Sequence, residues 1–161
     1  MRGRNVACAV GTICVLLALL ASVALGAETI GEYKGEVEPI CKVNADANKR
    51  ILSGVRTEVR QGKLKAAAAQ FAKAATALSK TLKELEAVAK PATEAPRLSR
   101  WLSYVKVEVD LLQRVAVALK AGEANRAQTF VAKLTHTANL ANSQIVIYDF
   151  RYCKIEPSQF T

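Results

Sequence analysis

The chain has very few of the residues that bind redox metals. Its 161 residues include a single His, and its one Met is Met1. Haem ligation usually requires His together with Met or a second His, and zinc or di-iron sites need several convergent ligands. The sequence contains neither Cys-x-x-Cys-His nor Glu-x-x-His. It therefore predicts no metal site and no cofactor.

Motifs for nucleophilic and phosphate chemistry are also missing. The sequence contains no Gly-x-Ser-x-Gly and no glycine-rich phosphate loop. The carboxylates of Glu84/Glu86 and of Glu108/Asp110 are two positions apart, a step that points them to different faces of a helix. We therefore expect no enzymatic activity. The alternative is an enzyme that uses the region around His136.

The first 27 residues contain a long uncharged stretch. Arg2 and Arg4 precede a run from Asn5 to Ala27 that carries no charge and ends in small residues. A positive start, an apolar centre and a small-residue exit are typical of a secretory signal peptide. We expect cleavage near Ala27 and export to the periplasm, the cell envelope or the extracellular space. The alternative is an uncleaved anchor over residues 5–27, because this run is long enough to span a bilayer.

Cysteine is sparse, and its placement matters. Cys8 and Cys14 lie within the predicted signal peptide, which leaves Cys41 and Cys153 in the exported chain. Two thiols in an oxidising compartment usually pair. Because no Cys-x-x-Cys spacing is present, we predict a structural disulfide between Cys41 and Cys153 rather than a redox pair.

Charge is unevenly distributed. The net charge is +9, yet residues 28–39 hold four Glu against one Lys, together with two Gly. This segment predicts an acidic extended leader, and the basic remainder favours anionic partners. The candidate partners are an anionic envelope polymer, a lipid surface or another protein. Nucleic acid is not expected for an exported protein.

Residues 40–161 have the periodicity of helices. Leu64, Phe71, Leu78 and Leu85 recur every seven residues, as do Leu98, Val105, Leu112 and Leu119. Short Gly- or Pro-containing breaks separate four predicted helices, over Lys42 or Asp46 to Gln61, 63–90, 97–121 and 123–147. The predicted fold is an all-α, up-down-up-down four-helix bundle made of two αα-hairpins, with a disulfide joining its terminal segments.

A faint internal repeat supports the two hairpins. A shift of 60 residues superimposes Gly62 on Gly122, and apolar residues before both glycines superimpose as well. The sequence therefore predicts two related helical hairpins that turn at these glycines.

Two polar or aromatic segments are the candidate contact sites. The C-terminal tail holds Tyr148, Phe150, Arg151 and Tyr152 in alternation, which predicts either an aromatic lid on the bundle or an exposed ligand surface. An uncharged polar run on the fourth helix is either a packed flank or a hydrogen-bonding groove. Its candidate contacts are His136, Asn139 and Asn142.

Together these features predict a non-enzymatic exported binding or scaffold module that favours anionic partners. The alternative is a structural or inhibitor-like module that docks on another protein, an analogy that rests on architecture alone.

Overall fold

A computed structural model describes residues 29–156. Within this range the chain is all-helical, with no strand. Its elements are α1 (Ile30–Ile51), α2 (Val55–Arg60), α3 (Leu64–Ala87), α4 (Ala95–Lys120), α5 (Ala124–Ile145) and a 3₁₀ turn over Val146–Tyr148. The predicted signal peptide over residues 1–27 lies outside the described residues.

The prediction of an extended leader over residues 28–39 is corrected, because α1 already begins at Ile30 and includes residues 30–39. Thr29 caps the helix: its hydroxyl accepts the Glu32 backbone N–H, and the Glu32 carboxylate accepts the Thr29 N–H. Tyr33, Val37 and Cys41 follow at four-residue steps and are buried. Gly31 and Gly35 both lie within the helix.

Pro39 lies inside α1 rather than before it. Proline removes one intrahelical hydrogen bond and usually bends or ends a helix. Here its side chain is exposed, while Val37 and Cys41 on the buried face pack in the core. The tertiary packing of that face therefore outweighs the local penalty.

The first predicted helix, which was expected to run to Gln61, is divided into α1 and α2. Gly54 separates them with a φ of 82°, a left-handed conformation that glycine adopts at little cost. Val55 on the far side of the break is buried, so the change of direction returns α2 to the core.

The heptad seams of α3 and α4 are confirmed as core. Phe71, Leu78 and Leu85 from α3 are buried, as are Leu98, Val105, Leu112 and Leu119 from α4. α4 packs along both α3 and α5, and α1 packs against α3. The four long helices therefore bury their apolar faces together.

The turns after α2 and α4 have the same hydrogen-bond pattern. Gly62 and Gly122 have φ values of 71° and 79°. The Lys63 N–H donates to Glu58 O and the Gly62 N–H to Val59 O, and Glu123 and Gly122 repeat these bonds 60 residues later. This is the Schellman motif of helix C-termini. The repeat seen in the sequence is therefore present in the backbone at both turns.

The predicted disulfide is present. Cys41 in α1 and Cys153 in the C-terminal tail have their Cα atoms 4.9 Å apart and are separated by 112 positions. Residues 149–156 have no regular secondary structure, and the disulfide fixes them against α1.

Candidate functional site

The aromatic tail forms a cap on the bundle. Phe150 is buried, with its ring centroid 6.0 Å from that of Trp101 and 5.8 Å from that of Tyr148. The hydroxyl of Tyr148, which is half-buried, donates to the Glu94 carboxylate. Desolvation is the largest cause and this hydrogen bond the second, and together they raise the pKa of Tyr148 to about 12. Phe150 is therefore a core residue, which corrects its prediction as a ligand contact.

Charged residues of α1 hold the backbone of the tail. The Lys34 ammonium donates to the carbonyl oxygen of Asp149 at 2.7 Å. The Glu38 carboxylate accepts the backbone N–H groups of Arg151 and Tyr152, the latter at 2.9 Å. Carboxylates at this end of the molecule are thus used to position the tail.

Asn142 provides a second attachment for the tail. Its side-chain amide donates to Ile155 O at 2.8 Å and accepts from Ile155 N at 2.9 Å. It therefore satisfies both backbone hydrogen-bonding groups of this tail residue. Of the polar residues predicted on the fourth helix, His136 and Asn139 are exposed on α5. Of these three residues, Asn142 is the one that bonds to the tail.

Arg151 and Tyr152 are two predicted contact residues of the tail that reach the surface. Arg151 is exposed and Tyr152 is half-buried. The Tyr152 ring has the Arg151 guanidinium at 5.1 Å and the Lys42 ammonium at 5.5 Å from its centroid. These cation–π contacts give the tail a positive outer face beside the disulfide.

The centre of the bundle contains a buried carboxylate, Glu108, whose burial was not predicted from the sequence. Glu108 on α4 has 0% exposure, and neither of its carboxylate oxygens has a hydrogen-bond partner. Burial raises the pKa of Glu108 to about 8. The sequence did contain a signal for this burial. Glu108 lies seven residues after Trp101 and seven before Val115, so it occupies a core position of the α4 heptads.

Glu108 lines a cavity of about 50 Å³ at the meeting point of α1, α3, α4, α5 and the tail. Asn44 and Asn48 from α1 and Thr81 from α3 also line it. The Oδ1 atom of Asn48 is buried and accepts no hydrogen bond. Such a volume holds one or a few water-sized occupants.

A larger cleft of about 460 Å³ opens where α2 faces α5. Its floor is apolar and comprises Val55, Val59, Phe71, Val115, Leu119 and Val131. Arg56 and Arg60, both exposed on α2, lie at its rim. Specific small-molecule sites typically have this size, an apolar lining and a few polar groups.

The turns next to this cleft add positive charge. Lys63, Lys65 and Lys120 line a depression between the Gly62 and Gly122 turns. All three are exposed, and none of them forms an ion pair with another residue in the 29–156 range. This end of the bundle therefore combines an apolar cleft with three lysines that form no ion pair within the described residues.

The described part of the chain has neither a cluster of metal ligands nor a membrane-spanning helix. Across residues 29–156, no group of three or more His, Cys, Asp or Glu side chains is arranged to hold a metal ion. No helix in the same range is both long and apolar enough to cross a bilayer.

No protein-family model, curated protein or solved structure matches this chain.

Proposed function

We propose that this chain is a non-enzymatic, exported binding module whose ligand is an anionic amphiphile held in the cleft between α2 and α5. The ligand class has an acyl or similarly apolar body and a carboxylate or phosphate head. The observation that carries the proposal is the cleft itself, with an apolar floor and two guanidinium groups at its rim.

The cleft matches an amphiphile better than a purely polar anion. Burial of apolar ligand surface contributes about 25 cal/mol per Å², so the floor would supply most of the affinity. Arg56 and Arg60 line the cleft, and the planar guanidinium group suits carboxylate and phosphate oxygens. One Arg60 nitrogen donates to Thr57 Oγ1 at 3.4 Å, which leaves its other N–H groups for a ligand. The floor then selects for an apolar body and the rim selects for a negative head.

Long-range charge favours the same ligand class. Lys63, Lys65 and Lys120 lie at the neighbouring turns without ion-pair partners in the described residues. Of the nearby carboxylates, Glu58 accepts from Gln70 and Glu123 pairs with Arg126 at 2.9 Å. The cations at this end outnumber the Glu58 carboxylate, so the net field is positive and raises the local concentration of anionic ligands at low ionic strength.

Export and helix direction belong to the same proposal. The signal-like residues 1–27 and the Cys41–Cys153 disulfide both suit an oxidising compartment outside the cytoplasm.

The side-by-side turns at Gly62 and Gly122, with Lys34 of α1 bonded to Asp149 after α5, support helices that alternate in direction. A module of this kind would carry or sense an envelope lipid.

The test is a calorimetric titration with decanoate and, as a matched neutral ligand, 1-decanol, both below the concentrations at which they aggregate. We expect decanoate to bind more tightly, and its affinity to fall as salt increases. The double variant Arg56→Gln/Arg60→Gln should weaken decanoate binding by about tenfold or more, because charge-assisted hydrogen bonds are lost.

Two variants serve as controls. Lys73→Gln/Lys83→Gln removes the same charge from exposed positions of α3 and should leave binding nearly unchanged. Val131→Phe fills the cleft and should weaken both ligands equally. Equal affinity for decanoate and 1-decanol, or an equal loss in both double variants, would contradict the proposal.

A further inference from the structure

The Glu108 cavity is separate from the α2–α5 cleft, and it has an unusual set of polar atoms. Three buried acceptors lack a donor around it: both oxygens of Glu108 and the Oδ1 atom of Asn48. Leaving such atoms unpaired in a dry site costs free energy for each one. An occupant that only donates, or that carries positive charge, satisfies all three at once.

The charge in the cavity limits the occupant. Besides Glu108, its ionisable lining residues are Tyr152, Lys154 and Glu156, all from the tail; the α1 and α3 polar residues are neutral. Lys154 makes no ion pair with Glu108 in the structure as described. In its ionised form the buried Glu108 carboxylate is balanced by one positive charge, and a divalent ion would leave an excess charge in an apolar surround.

The size of the cavity limits the occupant further. The space of about 50 Å³ open to water-sized occupants admits a dehydrated potassium or ammonium ion. Tetramethylammonium suits the unpaired oxygens less well, because its methyl groups keep its charge away from them. The remaining lining is largely apolar and includes Trp101 and Leu134. An aromatic lining residue such as Trp101 favours a weakly hydrated cation over a strongly hydrated one.

From these observations we propose that the cavity is a binding site for a small monovalent cation, potassium or ammonium, coordinated by the Glu108 carboxylate and Asn48 Oδ1. The tail residues 152–156 close the site, and Asn142 and the disulfide hold them in place. Cation occupancy therefore stabilises the closed position of the tail.

The test measures the melting temperature at pH 9 with increasing potassium chloride, with tetramethylammonium chloride at equal ionic strength as the control. At this pH Glu108 is largely ionised, since its pKa is about 8. We expect potassium to raise Tm by about 3 °C or more and tetramethylammonium to leave it unchanged. A parallel ammonium chloride series at pH 8.5 separates the two candidate ions.

Glu108→Gln should abolish the potassium response because the charge that holds the cation is gone. If that variant does not fold, Asn48→Leu decides the matter, since it removes one ligand atom from α1 and should weaken the apparent potassium affinity severalfold. Lys154→Gln should keep the response. An equal Tm rise with tetramethylammonium, or an undiminished potassium response in Glu108→Gln or Asn48→Leu, would overturn the site and leave water as the occupant.

Discussion

Glu108 couples the stability of the fold to pH. Its pKa is about 8 in the folded chain against 4.5 for an ordinary glutamate. Between these values the folded state keeps a proton that the unfolded state has released. The stabilisation is therefore complete below pH 4.5 and declines as pH rises, until it is lost above pH 8.

Substitution Glu108→Gln should remove this decline. In tetramethylammonium buffer, we expect the variant to gain stability over the parent as pH rises, by roughly 3 kcal/mol at pH 7. Urea unfolding at pH 5 and pH 8 measures the difference. Asp110→Asn, two positions away and exposed, is the control and should leave the pH profile nearly unchanged.

A second prediction at the residue scale concerns Asn142. Asn142→Ala removes both hydrogen bonds to Ile155, so the tail should open more often. We expect the amide of Ile155 to exchange with solvent about tenfold faster or more, as read by hydrogen exchange. Asn139→Ala on the exposed face of α5 is the matched control, and equal exchange in both variants would show that Asn142 does not hold the tail.

The buried position of Glu108 could be predicted from the sequence, whereas the tail contact of Asn142 could not. The heptad spacing of α4 places Glu108 in the core, although a charged residue invites a surface interpretation. The role of Asn142 was not predictable, because its partner is the backbone of Ile155, thirteen positions along a tail without periodicity. Such contacts depend on where the tail lies and leave no local pattern.

At the level of elements, the two turns with the same hydrogen-bond pattern should respond alike to substitution of their glycines. Gly62 and Gly122 adopt positive φ, so an alanine there costs about 1–2 kcal/mol. We expect Gly62→Ala and Gly122→Ala to lower the free energy of unfolding by similar amounts, measured with urea. Gly35→Ala within α1 is the opposite control: its added Cβ meets no atom within 4 Å, so it should stabilise by up to about 1 kcal/mol.

Helix prediction succeeded where periodicity and turn residues agreed. α3 and α4 were predicted to within a few residues by their heptads, and the predicted bounds of α5 differ from the observed ones by one or two residues. The start of α1 was missed because Gly31, Gly35 and Pro39 disfavour a helix locally. The capping box and the buried stripe through Tyr33 and Val37 override that preference, and both can be recognised in the sequence.

At the scale of the whole molecule, the disulfide joins α1 to the tail. Cross-linking residues 112 positions apart restricts the unfolded chain and stabilises the fold by about 4–5 kcal/mol in the chain-entropy model. Cys41→Ser/Cys153→Ser should therefore lower the free energy of unfolding by up to this amount, as measured with urea. Alkylation of the parent should label neither cysteine, and labelling of both would contradict the bond.

The cleft could not have been anticipated from the sequence. It exists because the chain bends at Gly54, so that α2 diverges from the line of α1 and faces α5 across an apolar gap. The sequence predicted one continuous helix here, and a continuous helix leaves no such gap. Arg56 and Arg60 were consequently counted with the general basic charge rather than as the rim of a site.

The disulfide also changes what a protease can do to this protein. Cys41 and Cys153 close most of the described chain into one covalent ring, which includes the exposed residues Ala92 and Thr93 between α3 and α4. A single cut there opens the ring without releasing either piece. The nicked protein should keep its full mass on a non-reducing gel and separate into two fragments only after reduction.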